Sequence, residues 1–299
     1  MIQAEKVTMK FDGKTALNEL TCKIPDGCIY GLVGSNGAGK STFLRLLSGI
    51  YKSYEGKITF DGMAVYENPK VKSKLVFVPD DLYFLPQASM KKMANMYRAV
   101  YPSFSYERFH ELASVFGLDL KASINTFSKG MKRQAATILA LAVQPQYLFF
   151  DETFDGLDPV VRNLVKTVIY NDVAERKTTV IITSHSLREL EDTCDQLALL
   201  HKGGIVFESD IQNLKTSLFK IQIALGTPYD RSVFGDIPML EYNQKGSVAT
   251  FILRGDREEI KAKLSRLDPL VLEILPLTLE EVFVHEMEAL GYAFKDMIV

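Results

Sequence analysis

Apolar and polar residues alternate loosely over residues 2–11, and Asp12-Gly13 interrupts them as a hairpin turn would. Two strands are therefore predicted, the second reaching Ile24. Pro25-Asp26-Gly27 marks the next turn, and 28–33 is a continuous apolar run suited to a strand buried on both faces. Residues 40–47 carry no Gly or Pro and place Phe43, Leu44 and Leu47 on one helical face. Glu55-Gly56-Lys57 and Asp61-Gly62 bracket a further short strand. Strands are also predicted at 75–78, 147–150 and 179–183. Helical periods occupy 89–117, broken by Pro102, then 131–143 ahead of Pro145, and 187–194. A hairpin over 196–200 and 205–208 turns at Lys202-Gly203-Gly204. After Leu214 the punctuation changes: strands at 219–225, 247–253 and 270–275, with helices at 256–266 and 278–290, predict a small α+β appendage. The expected division is an α/β domain over 1–214, with a helical segment at about 88–145, followed by an α+β domain over 215–299.

Between the strand at 28–33 and the helix at 40–47 lies Gly34-Ser35-Asn36-Gly37-Ala38-Gly39-Lys40-Ser41-Thr42, which fits the phosphate-binding pattern G-x-x-x-x-G-K-[ST]. The glycines let backbone amides approach phosphate oxygens, and the helix aims its positive end at the same place. Lys40 supplies a point charge to the β/γ-phosphates, Ser41 a hydroxyl to Mg²⁺, and Thr42 reaches the α-phosphate. A chance match would arise about once per hundred chains of this length. The strand before and the helix after are what the motif requires.

The strand at 147–150 delivers Asp151 and Glu152 at its carboxyl end, the edge where ligands collect in an open parallel sheet. Adjacent carboxylates there suit two tasks, Asp151 in the Mg²⁺ shell and Glu152 polarising a water. His185 follows the strand at 179–183 and falls at the same edge. Ser128 stands where a helix should begin, an N-cap next to Gly130 and a second potential anion site. Phe11 is open to two readings, strand packing or stacking on a nucleotide base. So is the segment containing Met90, Met93, Met96, Tyr97, Tyr101, Phe104 and Phe109: the core of a helical subdomain, or a docking surface for a partner helix.

The net charge of −2 over 299 residues, with both signs interspersed, gives no basic field for nucleic acid or anionic lipid, and no nucleic-acid partner is expected. Three cysteines without a C-x-x-C pair fit a reducing compartment. No basic n-region with an apolar h-region opens the chain, and no run of about 18 apolar residues occurs, so no secretory signal or spanning segment is expected.

Taken in order, the P-loop, Ser128-Lys129-Gly130, Asp151-Glu152, Gly156-Leu157-Asp158 and His185 resemble the nucleotide-binding subunit of ATP-binding cassette (ABC) transporters over about residues 1–210. The resemblance implies a P-loop NTPase core of ABC ATPase type, with an antiparallel β subdomain and a helical subdomain. It implies ATP and Mg²⁺ as ligands. By resemblance Phe11 is the adenine-stacking aromatic, Asp151 the Walker B aspartate and Glu152 the catalytic base. Asp158 is the D-loop aspartate, and His185 the switch residue sensing the γ-phosphate. The signature departs from the family's LSGGQ: here it is FSKGM, keeping Ser128 and Gly130. Asp80 stands where the Q-loop glutamine is expected and inherits its Mg²⁺ contact, with Gln87 as the fallback.

The resemblance further implies two such domains clamping two ATP molecules head to tail, as a homodimer or a heterodimer with a related ATPase. The function expected is ATP hydrolysis that powers a membrane exporter from the cytoplasmic face, through a permease on a separate chain. Export is suggested by the tail 277–283, which is similar to that of ATPases of bacterial export systems. The alternative is a soluble ABC ATPase acting on ribosomes or DNA. Against it stand the single P-loop, the near-neutral charge, and fewer than a hundred residues between P-loop and signature. A nucleotide sensor without turnover is disfavoured by Glu152 and His185 together.

Overall fold

The computed structural model describes residues 1–154, 156–289 and 291 and divides the chain into two compact units, Met1–Glu208 and Ser209–Val299. The first unit begins with antiparallel strands β1 (Ile2–Phe11) and β2 (Lys14–Ile24), followed by β3 (Ile29–Val33) and helix α1 (Lys40–Leu47). Strands β4 (Glu55–Phe60) and β5 (Met63–Ala64), the short α2 (Pro69–Lys72) and strand β6 (Leu75–Val78) come next. Helices α3 (Met90–Val100), α4 (Tyr106–Val115) and α5 (Lys129–Ala142) lead to β7 (Tyr147–Asp151), α6 (Pro159–Arg176) and β8 (Thr179–Ser184). Helix α7 (Leu187–Glu191) and strands β9 (Gln196–His201) and β10 (Gly204–Asp210) complete the series.

Two sheets organise this unit: an antiparallel one in the order β2-β1-β4-β5 and a six-stranded one in the order β10-β9-β3-β8-β7-β6. Within the second, β3 pairs in parallel with both β8 and β9, and β7 with both β6 and β8. Strands β3, β7 and β8 are buried at every position, with apolar residues at their centres and the polar Asp151, Thr183 and Ser184 at the carboxyl ends of β7 and β8. Phe43, Leu44 and Leu47 of α1 share one core with Val7 and Leu17 of the antiparallel sheet and Tyr30, Phe149 and Ile181 of the parallel one. The helix that begins at the P-loop is thus packed between two sheets, which fixes where its N-terminus points.

In the helical segment, Met90, Met93, Phe104 and Phe109 are buried, with the Phe104 and Phe109 rings 5.9 Å apart. Met96 and Tyr106 face outward. Arg108 of α4 donates to Asp172 Oδ1 of α6 at 3.1 Å, tying the segment to the remainder of the unit. Helix α6 is capped by Asp158, which accepts from the amides of Val160 and Val161, with Pro159 as its first residue.

All three cysteines are buried. Burial, aided by Glu208, pushes the Cys22 thiol up to about 12, and burial with Asp195 and Asp26 does the same at Cys28. Burial holds Cys194 higher still. Because the thiolate is the nucleophile, a thiol reagent at pH 8 should label the native protein slowly and all three cysteines rapidly in denaturant. Rapid stoichiometric labelling of the native chain would contradict this packing.

The second unit contains α8 (Ile211–Ser217), β11 (Leu218–Ala224), β12 (Met239–Lys245), β13 (Val248–Arg254), α9 (Arg257–Ser265), β14 (Val271–Leu275) and α10 (Leu279–Ala289). Its antiparallel sheet runs β12-β13-β11-β14. Ile221, Phe251, Leu253, Ile260 and Leu264 belong to its own core. Leu279, Val282 and Phe283 of the tail are buried on α10, and residue 290, expected in that helix, lies outside the described residues. Among the described residues no helix is long and apolar enough to cross a membrane.

Candidate active site

The loop between β3 and α1 is shaped by close backbone approach. Gly39 has φ +113, and a Cβ there would come within 2.7 Å of Leu17 Cδ2 and 2.8 Å of the Ala16 carbonyl. A Cβ on Gly34 would meet the Leu200 carbonyl at 2.5 Å. The Gly203 amide donates to the Ala38 carbonyl at 3.1 Å, so the loop rests on the β9–β10 turn and the start of β2. No side chain caps the N-terminus of α1, whose cap residue is Gly39. Its first amides, those of Lys40, Ser41 and Thr42, have no intrahelical partner.

Lys40 is 6% exposed and folds back over the loop. Its Nζ donates to the carbonyls of Gly34 (2.7 Å) and Ser35 (3.3 Å) and lies 3.2 Å from Glu152 Oε1. Glu152 stands just past the end of β7 with φ +49, a left-handed backbone uncommon for a non-glycine residue. Its second oxygen, Oε2, is 3.0 Å from His185 Nδ1. One carboxylate thus bridges the P-loop lysine and the histidine after β8, joining residues that lie 145 positions apart in sequence (185 − 40). Asp151 is buried at the last position of β7, and its Oδ1 accepts from the Thr183 hydroxyl at 2.7 Å.

Ser128 and Asp158 use their side chains as helix N-caps. Ser128 Oγ accepts from the Met131 amide at 3.2 Å, and among the described residues neither side chain bonds to the P-loop. Gly130 lies beside the loop that precedes Asp158: a Cβ there would meet the Gly156 carbonyl at 2.9 Å. Phe11, 39% exposed, stands edge-on to Tyr51 with centroids 5.4 Å apart, leaving ring surface available. Asp80 is half exposed and pairs with the buried guanidinium of Arg133 on α5. Its carboxylate is therefore engaged with the helical segment rather than with Lys40, Glu152 or Asp151.

Two features went unread in the sequence. One is Thr183, whose hydroxyl also accepts from the Glu152 amide at 3.1 Å. The other is a relay. Ser184 Oγ donates to Glu189 Oε2 at 2.7 Å, Glu189 Oε1 lies 3.6 Å from Arg162 Nη1, and Arg162 Nη2 donates to the carbonyls of Phe154 (3.5 Å) and Leu157 (3.4 Å). It connects the segment carrying His185 with the loop leading to Asp158.

The site fits a nucleotide polyphosphate on three counts: an uncapped helix N-terminus, a glycine-permitted turn, and a buried lysine at its centre. Open space surrounds Gly37 at the loop's tip. Asp151 and Ser41 offer the hard oxygen donors that Mg²⁺ prefers.

The family model for ABC transporters matches residues 17–155. The chain is 33% identical over 285 residues to the ABC transporter ATP-binding protein YtrB of Bacillus subtilis, covering 95% of this chain and 97% of that one. It is 32% identical to the linearmycin resistance ATP-binding protein LnrL of the same organism, over 69% of this chain and 68% of that protein. Its fold is similar to that of the ATP-binding cassette MJ0796, solved as a dimer bound to ADP and Pi, with a TM-score of 0.62 and 21% identity over 71% of this chain and 99% of that one. The phosphate loop, the Asp-Glu pair at the sheet edge and a full-length relative sharing a third of its residues lead to one conclusion: this chain belongs to the ABC transporter ATP-binding proteins, a family of ATPases.

Proposed function

We propose that this chain is the ATP-hydrolysing subunit of a membrane exporter, working in pairs against a permease on a separate chain at the cytoplasmic face of the membrane. The observation that carries the reading is the convergence of Lys40, Glu152 and His185, with Asp151 adjacent, at the carboxyl edge of the parallel sheet. MgATP, when bound, would supply the scissile phosphoanhydride and a divalent cation to offset its charge. The loop amides and the α1 N-terminus would bind the phosphate oxygens, with Thr42 at the α-phosphate, Lys40 at the β/γ-phosphates and Phe11 against the adenine. Ser41 and Asp151 would hold Mg²⁺. Asp80 would join them only after leaving Arg133.

Lys40, once turned toward phosphate, releases Glu152 Oε1 to orient a water and accept its proton. His185 steadies the same carboxylate through Oε2 and would sense the γ-phosphate. Ser128, Gly130 and Asp158 have no bond to their own P-loop among the described residues, which supports their use across a dimer, completing the partner's site. Export is supported by the tail 277–283 and by the resistance role in the name of LnrL.

Affinity purification of the tagged chain from detergent-solubilised membranes tests the assignment. A permease with spanning helices should co-purify stoichiometrically with MgATP turnover. Recovery with ribosomes or DNA and no integral-membrane chain would reject transport.

A further inference from the structure

We infer that Thr183 is a positioning residue that sets the Asp151 carboxylate and the Glu152 backbone through one hydroxyl, an inference that rests on the ATPase reading above. Thr183 faces Asp151 in the parallel β7/β8 register, at the point where the ladder ends. A carboxylate can only accept, so the single hydroxyl hydrogen goes to Asp151 Oδ1 at 2.7 Å. The oxygen then accepts the Glu152 amide at 3.1 Å. The direction of the chain is fixed: Glu152 N–H to Thr183 Oγ1, and Thr183 O–H to Asp151.

Thr183 and Asp151 are each about 1% exposed, so bulk water does not compete for these hydrogen bonds in the intact chain. The Glu152 backbone has turned into the left-handed region and left the ladder, and its amide finds a partner only because β8 presents a hydroxyl there. Threonine's β-branch restricts χ1, which holds that hydroxyl in place. With Oδ1 occupied, Asp151 has Oδ2 for a cation. Strand β8 and the residue just past it thereby hold the acidic pair twice, at its root through Thr183 and at the tip of Glu152 through His185. Partners of this kind, behind a metal-binding carboxylate, typically change metal affinity or activity by about 10–100-fold when removed.

The test compares T183V, T183A and T183S with the wild-type chain by two readouts. These are the Mg²⁺ concentration giving half-maximal ATP turnover, and the affinity for a fluorescent ATP analogue in EDTA and in Mg²⁺. T183V and T183A should raise the Mg²⁺ midpoint about 10-fold or more and weaken binding in Mg²⁺ only, leaving the EDTA affinity within about twofold. T183S, which keeps the hydroxyl, should stay within about threefold of wild type. The midpoint does not depend on the fraction of folded protein, so partial misfolding does not mask it. An unmoved midpoint in T183V or T183A, or a T183S variant as impaired as T183V, overturns the assignment. So does a failure of T183V and T183A alike to fold, which would make the hydroxyl a folding determinant. A wild-type chain that neither binds the analogue nor turns over ATP would instead overturn the ATPase reading itself.

Discussion

Lys40→Ala is expected to lower ATP turnover at saturating MgATP by at least about 100-fold, the cost typical of removing a preorganised charge from a developing oxyanion. Lys40 is buried and holds the loop from inside through Gly34 and Ser35, so the variant loses both a charge and a brace. It also leaves Glu152 Oε1 without its cation in a site where that side chain is 14% exposed. Stability should fall by about 1–3 kcal/mol, the cost of removing a partner from a shielded charged group. Steady-state phosphate release alongside a denaturant titration separates the two effects. Turnover equal to that of the native chain would remove Lys40 from the site.

Glu152→Gln should act differently, because the amide keeps the shape and discards the charge. Turnover is expected to drop by about 100-fold or more, since glutamine cannot accept the proton of the attacking water. Lys40 is no longer tied to a carboxylate, so ATP binding should tighten rather than weaken. With hydrolysis stalled, the clamp proposed above should persist, and light scattering should report a doubled mass in ATP and the monomer mass in ADP. A variant that stays monomeric at saturating ATP would sink the clamp while leaving the P-loop assignment standing.

Much of the site was legible because each part is written locally. The P-loop is nine consecutive residues, the runs that became β3 and β7 are continuously apolar up to Asp151, and β8 has an apolar centre of Val180, Ile181 and Ile182, as strands covered on both faces need. Ser128 was readable as a cap from the helix behind it. What escaped depends on tertiary register. Thr183 meets Asp151 only because β7 and β8 pair in parallel at that offset, and nothing within either strand encodes the offset. The Asp80–Arg133 pair spans 53 residues for the same reason. Helix α6 went unread although Asp158-Pro159 announces it. Its buried face is narrow, Val165, Val168, Ile169 and Asp172, and one of these is charged. Strand β12 was hidden by its composition, an edge strand with a register shift and mostly polar residues.

The clasp around the P-loop also carries a consequence for biosynthesis. Gly34 lies against Leu200, Ala38 bonds to Gly203, and the strand that leads into the loop is flanked by β8 and β9. A nascent chain that has emerged as far as Thr42 holds the whole motif but none of the distant backbone that gives it shape. Competence to hold nucleotide therefore arrives only after about 200 residues have left the ribosome, ten seconds or more into translation at roughly 5–20 residues per second.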